Sequence, residues 1–321
     1  MDNVQSMMYN TVVPWHKKGV KLNGLATSAE AIKAASLDWE VEKREIFYPS
    51  YAKAEQGSKY AKLADKFAIV RKDNDVALGI VGDVYTPLQN KHAFRFFDDV
   101  IGEAKAHYET AGALGVGERI WLLAKLPDVI KIKNHDITEK YLLLTNSHNG
   151  SSTIQILFTP IRVVCQNTLN IALKGDSEIA RIRHCQSSTD KIEYVRKTLG
   201  IINERFSEFS VIANQLANKM MTTEMLDSYL KKSLFDKKEG EQKIKTRAAN
   251  IMEEVTKLFE YGKGNDSKEI RHTAWVGFNA VAEYIDYQRS TKKDRRDESI
   301  LFGKGQAIKQ IAWDNAVALL K

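Results

Sequence analysis

The rhythm of apolar positions changes once along the chain, near residue 188. Before that point, short runs of strand-like composition alternate with two helix-like segments. After it, apolar residues recur every three or four positions almost to the end. In the first part, residues 12–19 read as an irregular arm, limited by Pro14 and Gly19. Thr27 caps a short helix: Glu30 follows at the capping-box position, and Ala31, Ile32, Ala35 and Leu37 supply the apolar positions. Trp39, Val41, Arg44 and Phe47 lie in an extended segment that ends at Pro49, and the polar tract 54–62 reads as a loop or flap. Residues 67–71 and 77–81 form a hairpin around the polar residues 72–75. Thr86 and Pro87 introduce a helix with the stripe Ala93, Phe96, Phe97, Val100 and Ile101. Strands follow at 106–113, 119–126, 141–147 and 153–158. Gly115 and Gly117 break the first pair, and Asn149-Gly150 signals a tight turn between the last two. These short connections predict antiparallel pairing.

Residues 141–173 run on from the last hairpin into an apolar segment that reads as a helix packed on the sheet. Beyond residue 188 a long amphipathic helix covers 191–220, with Ile192, Val195, Leu199, Ile202, Phe206, Phe209, Ile212, Leu216 and Met220 on one face. Further helices are predicted from Thr223 to Leu230, over 241–259, over 273–287 and over 299–320. The fold class is therefore α+β: a mainly antiparallel sheet with a packed helix in residues 1–188, then a helical C-terminal region, 189–321, packed on that core. Residues 236–242, 261–268 and 288–298 read as connecting segments; the last contains KKDRRDE, a solvated linker or a phosphate-contacting loop.

Charge alters this picture more than composition does. A formal net charge of +7 in 321 residues points to an anionic partner. The two cysteines, Cys165 and Cys185, form no CxxC unit and indicate neither a disulfide scaffold nor a metal framework. The start of the chain lacks a basic and then apolar leader, and no apolar run has the length of a bilayer span, so a cytoplasmic protein without a membrane partner is expected.

Catalytic motifs are weak. His135, His148, His184 and Cys185, like the isolated His16 and His272, form no HxH, HExxH or CxxC unit. Cys165 with His148 or His184 and Asn167 would make a Cys-His-Asn set only if the fold brought them together. Gly112, Gly115 and Gly117 lack the rest of a dinucleotide or Walker fingerprint, and Asp98-Asp99 are adjacent and need not converge. No cofactor is expected.

The polar residues of 146–153 are a sharper signal, with Asn146, His148, Asn149 and Ser151 offering short donors and acceptors at a strand end. On a helix, Arg162, Gln166 and Asn170 would form one polar ribbon, with Asn167 beside it. Such a ribbon either binds phosphates and bases or fastens the helix to the sheet. Arg181 and Arg183 alternate with Ile179 and Ile182 as an edge strand with a basic face would. Lys91, Arg95 and Arg119, with Arg71 and Lys72, are candidates to join them around a groove. Tyr85, Tyr108 and Trp121 are either stacking residues or core.

Several strings carry a resemblance: PWH at 14–16, LDWEVEKR at 37–44, GDVYTPLQN at 82–90, YETAGALGVGERIWLLAKLP at 108–127, YLLLTNSHNGSSTIQILFTPIRVVCQNTLNIAL at 141–173, RIRH at 181–184 and TAWVGFNAVAEY at 273–284. Together they resemble the phage/plasmid-like protein family that carries the DUF932 domain. PWHKKG stands at 14–19, where that family more often has PWHGLG. The resemblance implies a role in phage, prophage or plasmid biology and no established reaction. The order of hairpins, packed helix and further helices is also similar to the Rad52-type single-strand annealing fold, which implies a basic groove and self-assembly into rings or filaments. The expectation is a homo-oligomer that binds single-stranded DNA through Arg162, Gln166, Asn167, Arg181 and Arg183 and promotes annealing without nucleotide hydrolysis. The alternatives are a metal- or Cys/His-dependent hydrolase or nuclease, and a non-catalytic phage factor that binds a host protein through an exposed apolar patch.

Overall fold

The computed structural model describes residues 4–10, 19–24, 26–50, 59–104, 106–151, 155–162, 167–168, 180–181, 188–235, 247–289, 299–300 and 303–321. In chain order the first elements are β1 (Val4–Tyr9), β2 (Val20–Lys21), α1 (Ser28–Ala34), β3 (Val41–Pro49), β4 (Tyr60–Arg71), β5 (Ala77–Gly82) and α2 (Asn90–Ala104). Then come β6 (His107–Leu114), β7 (Arg119–Ile132), β8 (Asp136–Ser147), β9 (Gln155–Arg162), β10 (Asn167–Thr168) and β11 (Ala180–Arg181). The helical part comprises α3 (Ser188–Asn218), α4 (Thr223–Leu234), α5 (Arg247–Tyr261), α6 (Ala274–Glu283) with a π-helical turn at Tyr284–Gln288, and α7 (Lys304–Ala318).

The strands form two sheets. The larger has the order β10-β9-β8-β7-β6-β1-β2, with β11 also pairing β9; among the described strands β1–β2 is parallel and the other pairs are antiparallel. The smaller is the antiparallel sheet β3-β4-β5. Alternate positions of a strand lie on opposite faces, and the larger sheet uses both. Ile120, Leu122, Ala124, Leu142, Leu144, Ile156 and Phe158 enter the main core beside Phe94 and Phe97 of α2 and Ile202, Phe206 and Phe209 of α3. Leu114, Trp121 and Leu143 form a second cluster with Val4 and Met7.

The local chemistry explains the ends of these elements. Thr27 and Glu30 close the capping box: the Thr27 amide donates to Glu30 Oε2 at 2.9 Å, and the Glu30 amide donates to Thr27 Oγ1 at 3.3 Å. Between β7 and β8, Lys133 and Asn134 both take positive φ, and the His135 amide returns to the Ile132 carbonyl at 3.2 Å. This is the mirror-image turn that suits strand twist, and it lets both strands run further than their alternation alone predicts.

The helical region meets the sheet at that same turn. Asn214 of α3 accepts from the Lys133 amide at 3.0 Å, and the Trp275 indole of α6 donates to Asp136 Oδ2 at 2.6 Å, both groups being buried. Phe209 stacks on Trp313 of α7 at 5.3 Å and meets Trp275 edge-on at 6.1 Å, while Phe206 meets Phe158 of β9 edge-on at 5.4 Å. Met220, counted in the amphipathic stripe, lies past the end of α3 and is 61% exposed; Ala213 and Ala217 fill the core face instead.

One predicted element is corrected. The helix expected after residue 161 does not begin there: β9 runs through Arg162, and Asn167 returns as its register partner in β10. Branched Ile161, Val163 and Val164 favour extended backbone, and the return pairs part of the otherwise open edge of β9. Arg162 is therefore a strand residue and does not open a helical ribbon; Gln166 and Asn170, the other two members of that reading, lie outside the described residues. The tract 54–62 is also partly strand, since β4 begins at Tyr60, and β1 forms a strand that the sequence reading did not mark.

Candidate nucleic-acid interface

The polar turn after β8 sits where the two sheets meet. Asn146 and His148 are buried, Asn149 is half-buried and Ser151 is exposed. Asn149 Oδ1 accepts from Ser147 Oγ at 2.5 Å and from the Ser151 amide at 2.9 Å, so the turn is bonded to itself. Gly79 of β5 faces it so closely that an added Cβ would lie 2.6 Å from the Asn149 Cβ. Asn146 Nδ2 donates to the Leu88 carbonyl at 3.4 Å, and the Tyr85 hydroxyl donates to the Ser147 carbonyl at 3.1 Å. Most of this cluster fastens the second sheet and α2 to the first.

His148 shows why. Asn90 Nδ2 donates to the Leu37 carbonyl at 3.0 Å, leaving its Oδ1 to accept from His148 Nε2–H at 2.8 Å. The ring packs edge-on against Trp39 at 5.2 Å. Its Nδ1 is buried with no partner among the described residues, so a proton there would be a buried charge without an acceptor. Burial, followed by the nearby Arg71 cation, pushes the imidazole down to about 4. His148 is neutral at pH 7 and is enclosed; Cys165, Cys185, His16 and His184, the other members of the Cys-His and metal readings, lie outside the described residues.

Arg71 ties the same junction from the other side. Its guanidinium donates to both Asp73 oxygens at 2.9 and 2.6 Å, to Gln5 Oε1 at 3.0 Å and to the Val116 carbonyl at 2.9 Å, and lies 4.3 Å over the Trp39 ring. The ion pair holds the Asp73 carboxyl below its ordinary range. This arginine is structural and does not line a groove.

The other basic candidates are spread out. Arg162 pairs with Asn167 at one end of β9, while Arg181 pairs with Gln155 at the other, seven residues and about 23 Å away. Arg119, half-buried at the start of β7, is the register partner of Ser147 at the same end of the sheet as Arg181. Lys91 is exposed on α2 and shares Glu40 with Lys72, and these contacts, Lys91 first, pull that carboxyl down to about 2. Arg95 is exposed one turn further along α2. Gln166, Asn170 and Arg183 lie outside the described residues, as does the KKDRRDE stretch. Tyr108 and Trp121 are core residues: Tyr108 donates to Asp98 Oδ1 at 2.9 Å and Trp121 Nε1 donates to Thr110 Oγ1 at 3.1 Å.

Among the described residues no group of three or more His, Cys, Asp or Glu side chains is placed to hold a metal ion, and no helix is long and apolar enough to cross a membrane. The sequence reading missed exposed aromatic residues on the β3–β4 hairpin, where Phe47, Tyr48 and Tyr60 are about half exposed or more (54%, 49% and 59%). Their interleaving with lysines was visible, but the flap reading hid that they share a ribbon.

No curated protein matches the chain, and no solved structure does. A family does: the domain of unknown function DUF932 matches residues 77–302, more than two thirds of the chain. That match runs from β5 through the sheet, the junction and most of the helical region, so this chain belongs to the DUF932 family.

Proposed function

We propose that this protein binds single-stranded DNA, acts as a homo-oligomer, and promotes strand annealing in phage, prophage or plasmid recombination. The observation that carries the reading is a spread of basic positions at one end of the larger sheet. Arg181 lies opposite Gln155 of β9, and Arg119 lies opposite Ser147, two residues from Gln155's own partner Thr145. These two arginines therefore share a face set out across four strands, while Arg162, seven residues along β9, lies on the other face. A small-molecule site needs groups that converge; an extended polyanion is met by groups in a row, each neutralising a phosphate. The net charge of +7 adds long-range attraction. Annealing adds the requirement that bases stay free to pair, and backbone contacts from arginine meet it. The annealing part also draws on the order of hairpins followed by helices, in which the chain is similar to Rad52-type proteins.

Annealing of two complementary labelled oligonucleotides tests this reading, with the mass of the free and bound protein measured in parallel. The wild type is expected to anneal faster than the strands alone and to bind as a multimer. Arg119→Ala/Arg162→Ala/Arg181→Ala is expected to lose most of that acceleration while staying folded. Equal annealing by the variant would remove these arginines from the function.

A further inference from the structure

The β3–β4 hairpin outgrows its sheet. β5 pairs with β4 only over Lys66–Val70, so among the described residues the outer pairs Phe47↔Lys62, Tyr48↔Ala61 and Pro49↔Tyr60 have no third strand on that side. Asp65, with φ of 55°, lies in the irregular stretch of β4 that separates the outer pairs from the inner ones. Along this ribbon Phe47, Tyr48, Tyr60 and Leu63 are exposed, and so are Lys59, Lys62 and Lys66. A two-stranded ribbon is marginal in water by itself, and exposed aromatic side chains on it are unusual unless something packs against them.

The register decides what that is. Residues directly opposite in an antiparallel pair share a face, which puts Phe47 and Lys62 on the same face as Pro49 and Tyr60. Two aromatic side chains there lie diagonally across the ribbon with a lysine beside them. Over residues 43–50 and 59–67, Lys43, Arg44, Lys59, Lys62 and Lys66 stand against Glu45 and Asp65, an excess of three positive charges. Protein interfaces are depleted in lysine and gather their apolar residues into a desolvated centre. Aromatic faces set singly among lysines match a single-stranded nucleic acid, whose bases stack while its phosphates meet the cations.

We infer that the outer β3–β4 ribbon is a stacking platform for single-stranded nucleic acid, with Phe47 and Tyr60 receiving bases, Lys62 on the same face exchanging its Glu45 partner for a flanking phosphate, and the exposed Lys59 and Lys66 adding positive charge along the ribbon. It rests on the binding function proposed above and adds a second contact region to it, remote in sequence from the arginines of the larger sheet.

The experiment titrates oligo(dT) of about thirty nucleotides into four folded proteins: wild type, Phe47→Ala/Tyr60→Ala, Phe47→Trp, and the triple arginine variant. Thermal melts show whether each is folded, and sedimentation gives its mass. The aromatic double variant is expected to bind about 10- to 100-fold more weakly, with an unchanged salt slope because no charge is removed. Phe47→Trp is expected to show fluorescence quenching on binding beyond that of the wild type. Equal affinity of the double variant with no added quenching in Phe47→Trp overturns the platform while leaving the binding function standing. A double variant that dissociates into monomers, with no added quenching in Phe47→Trp, makes the ribbon a contact between copies and also overturns it. No binding by the wild type removes the platform and the proposed function together.

Discussion

His148 couples the fold to pH through one proton. Its folded value, about 4, lies below the ordinary 6.5, so as pH falls the unfolded chain takes up the proton first. The stability it provides is complete above pH 6.5 and is lost as pH falls towards 4. Between about pH 7.5 and about pH 5 the wild type should lose about 2 kcal/mol more than His148→Gln, which keeps a donor for Asn90 and cannot titrate. Urea unfolding at the two pH values measures it; parallel losses would mean that the ring is not enclosed as described. Arg71→Met removes the pair with Asp73 and the donor to the Val116 carbonyl, and should cost about 2 kcal/mol because Asp73 is half exposed. Gly79→Ala should cost about 1–3 kcal/mol by forcing β5 away from Asn149, again read by urea unfolding. The polarity of residues 146–151 was legible in the sequence, but their destination was not. Burial comes from Trp39, Gly79 and Asn90, between about 50 and 110 positions earlier, and no local pattern encodes that approach.

At the scale of elements, period and punctuation carried most of the information. The capping box at Thr27, the hairpin at 67–81, the Asn149-Gly150 turn and the three-four spacing of α3 each state their structure within a dozen or so residues. Where two local signals conflicted, the reading failed. Arg162, Gln166 and Asn170 have helical spacing, whereas Ile161, Val163 and Val164 have strand propensity, and the pairing of Arg162 with Asn167 keeps Arg162 in β9. β1 was missed because a lone six-residue run says little until β6 is present to pair with it. The clamp between β8 and α6 was likewise unreadable, since Asp136 and Trp275 are 139 residues apart. Trp275→Phe should leave the buried Asp136 without its indole donor and cost about 1–3 kcal/mol. Phe209→Ala, which removes the ring between Trp275 and Trp313, should cost about 3–5 kcal/mol. Chemical denaturation checks both, and a value near zero for either would mean that the helices are not anchored through that contact.

Across the described residues, the larger sheet, the second sheet and the helices share one main hydrophobic cluster, while Lys59, Lys62, Lys66, Lys91 and Arg95 are exposed outside it. That distribution was the least legible feature. A charge of +7 is read in a moment, but which cations are used up internally, as Arg71 is, depends on the fold. The exposed ribbon of Phe47 and Tyr60 was hidden for a related reason: whether an aromatic side chain is core or surface depends on whether a third strand reaches it. The central claim is that the protein binds a single-stranded polyanion by contacts in a row. Its most direct test is the affinity of the wild type for a labelled thirty-nucleotide single strand, measured from about 50 to about 200 mM salt. The account predicts a straight line of log affinity against log salt with a slope of about −2 to −4, as for three to five neutralised phosphates. No binding by the folded protein at the lowest salt would contradict it.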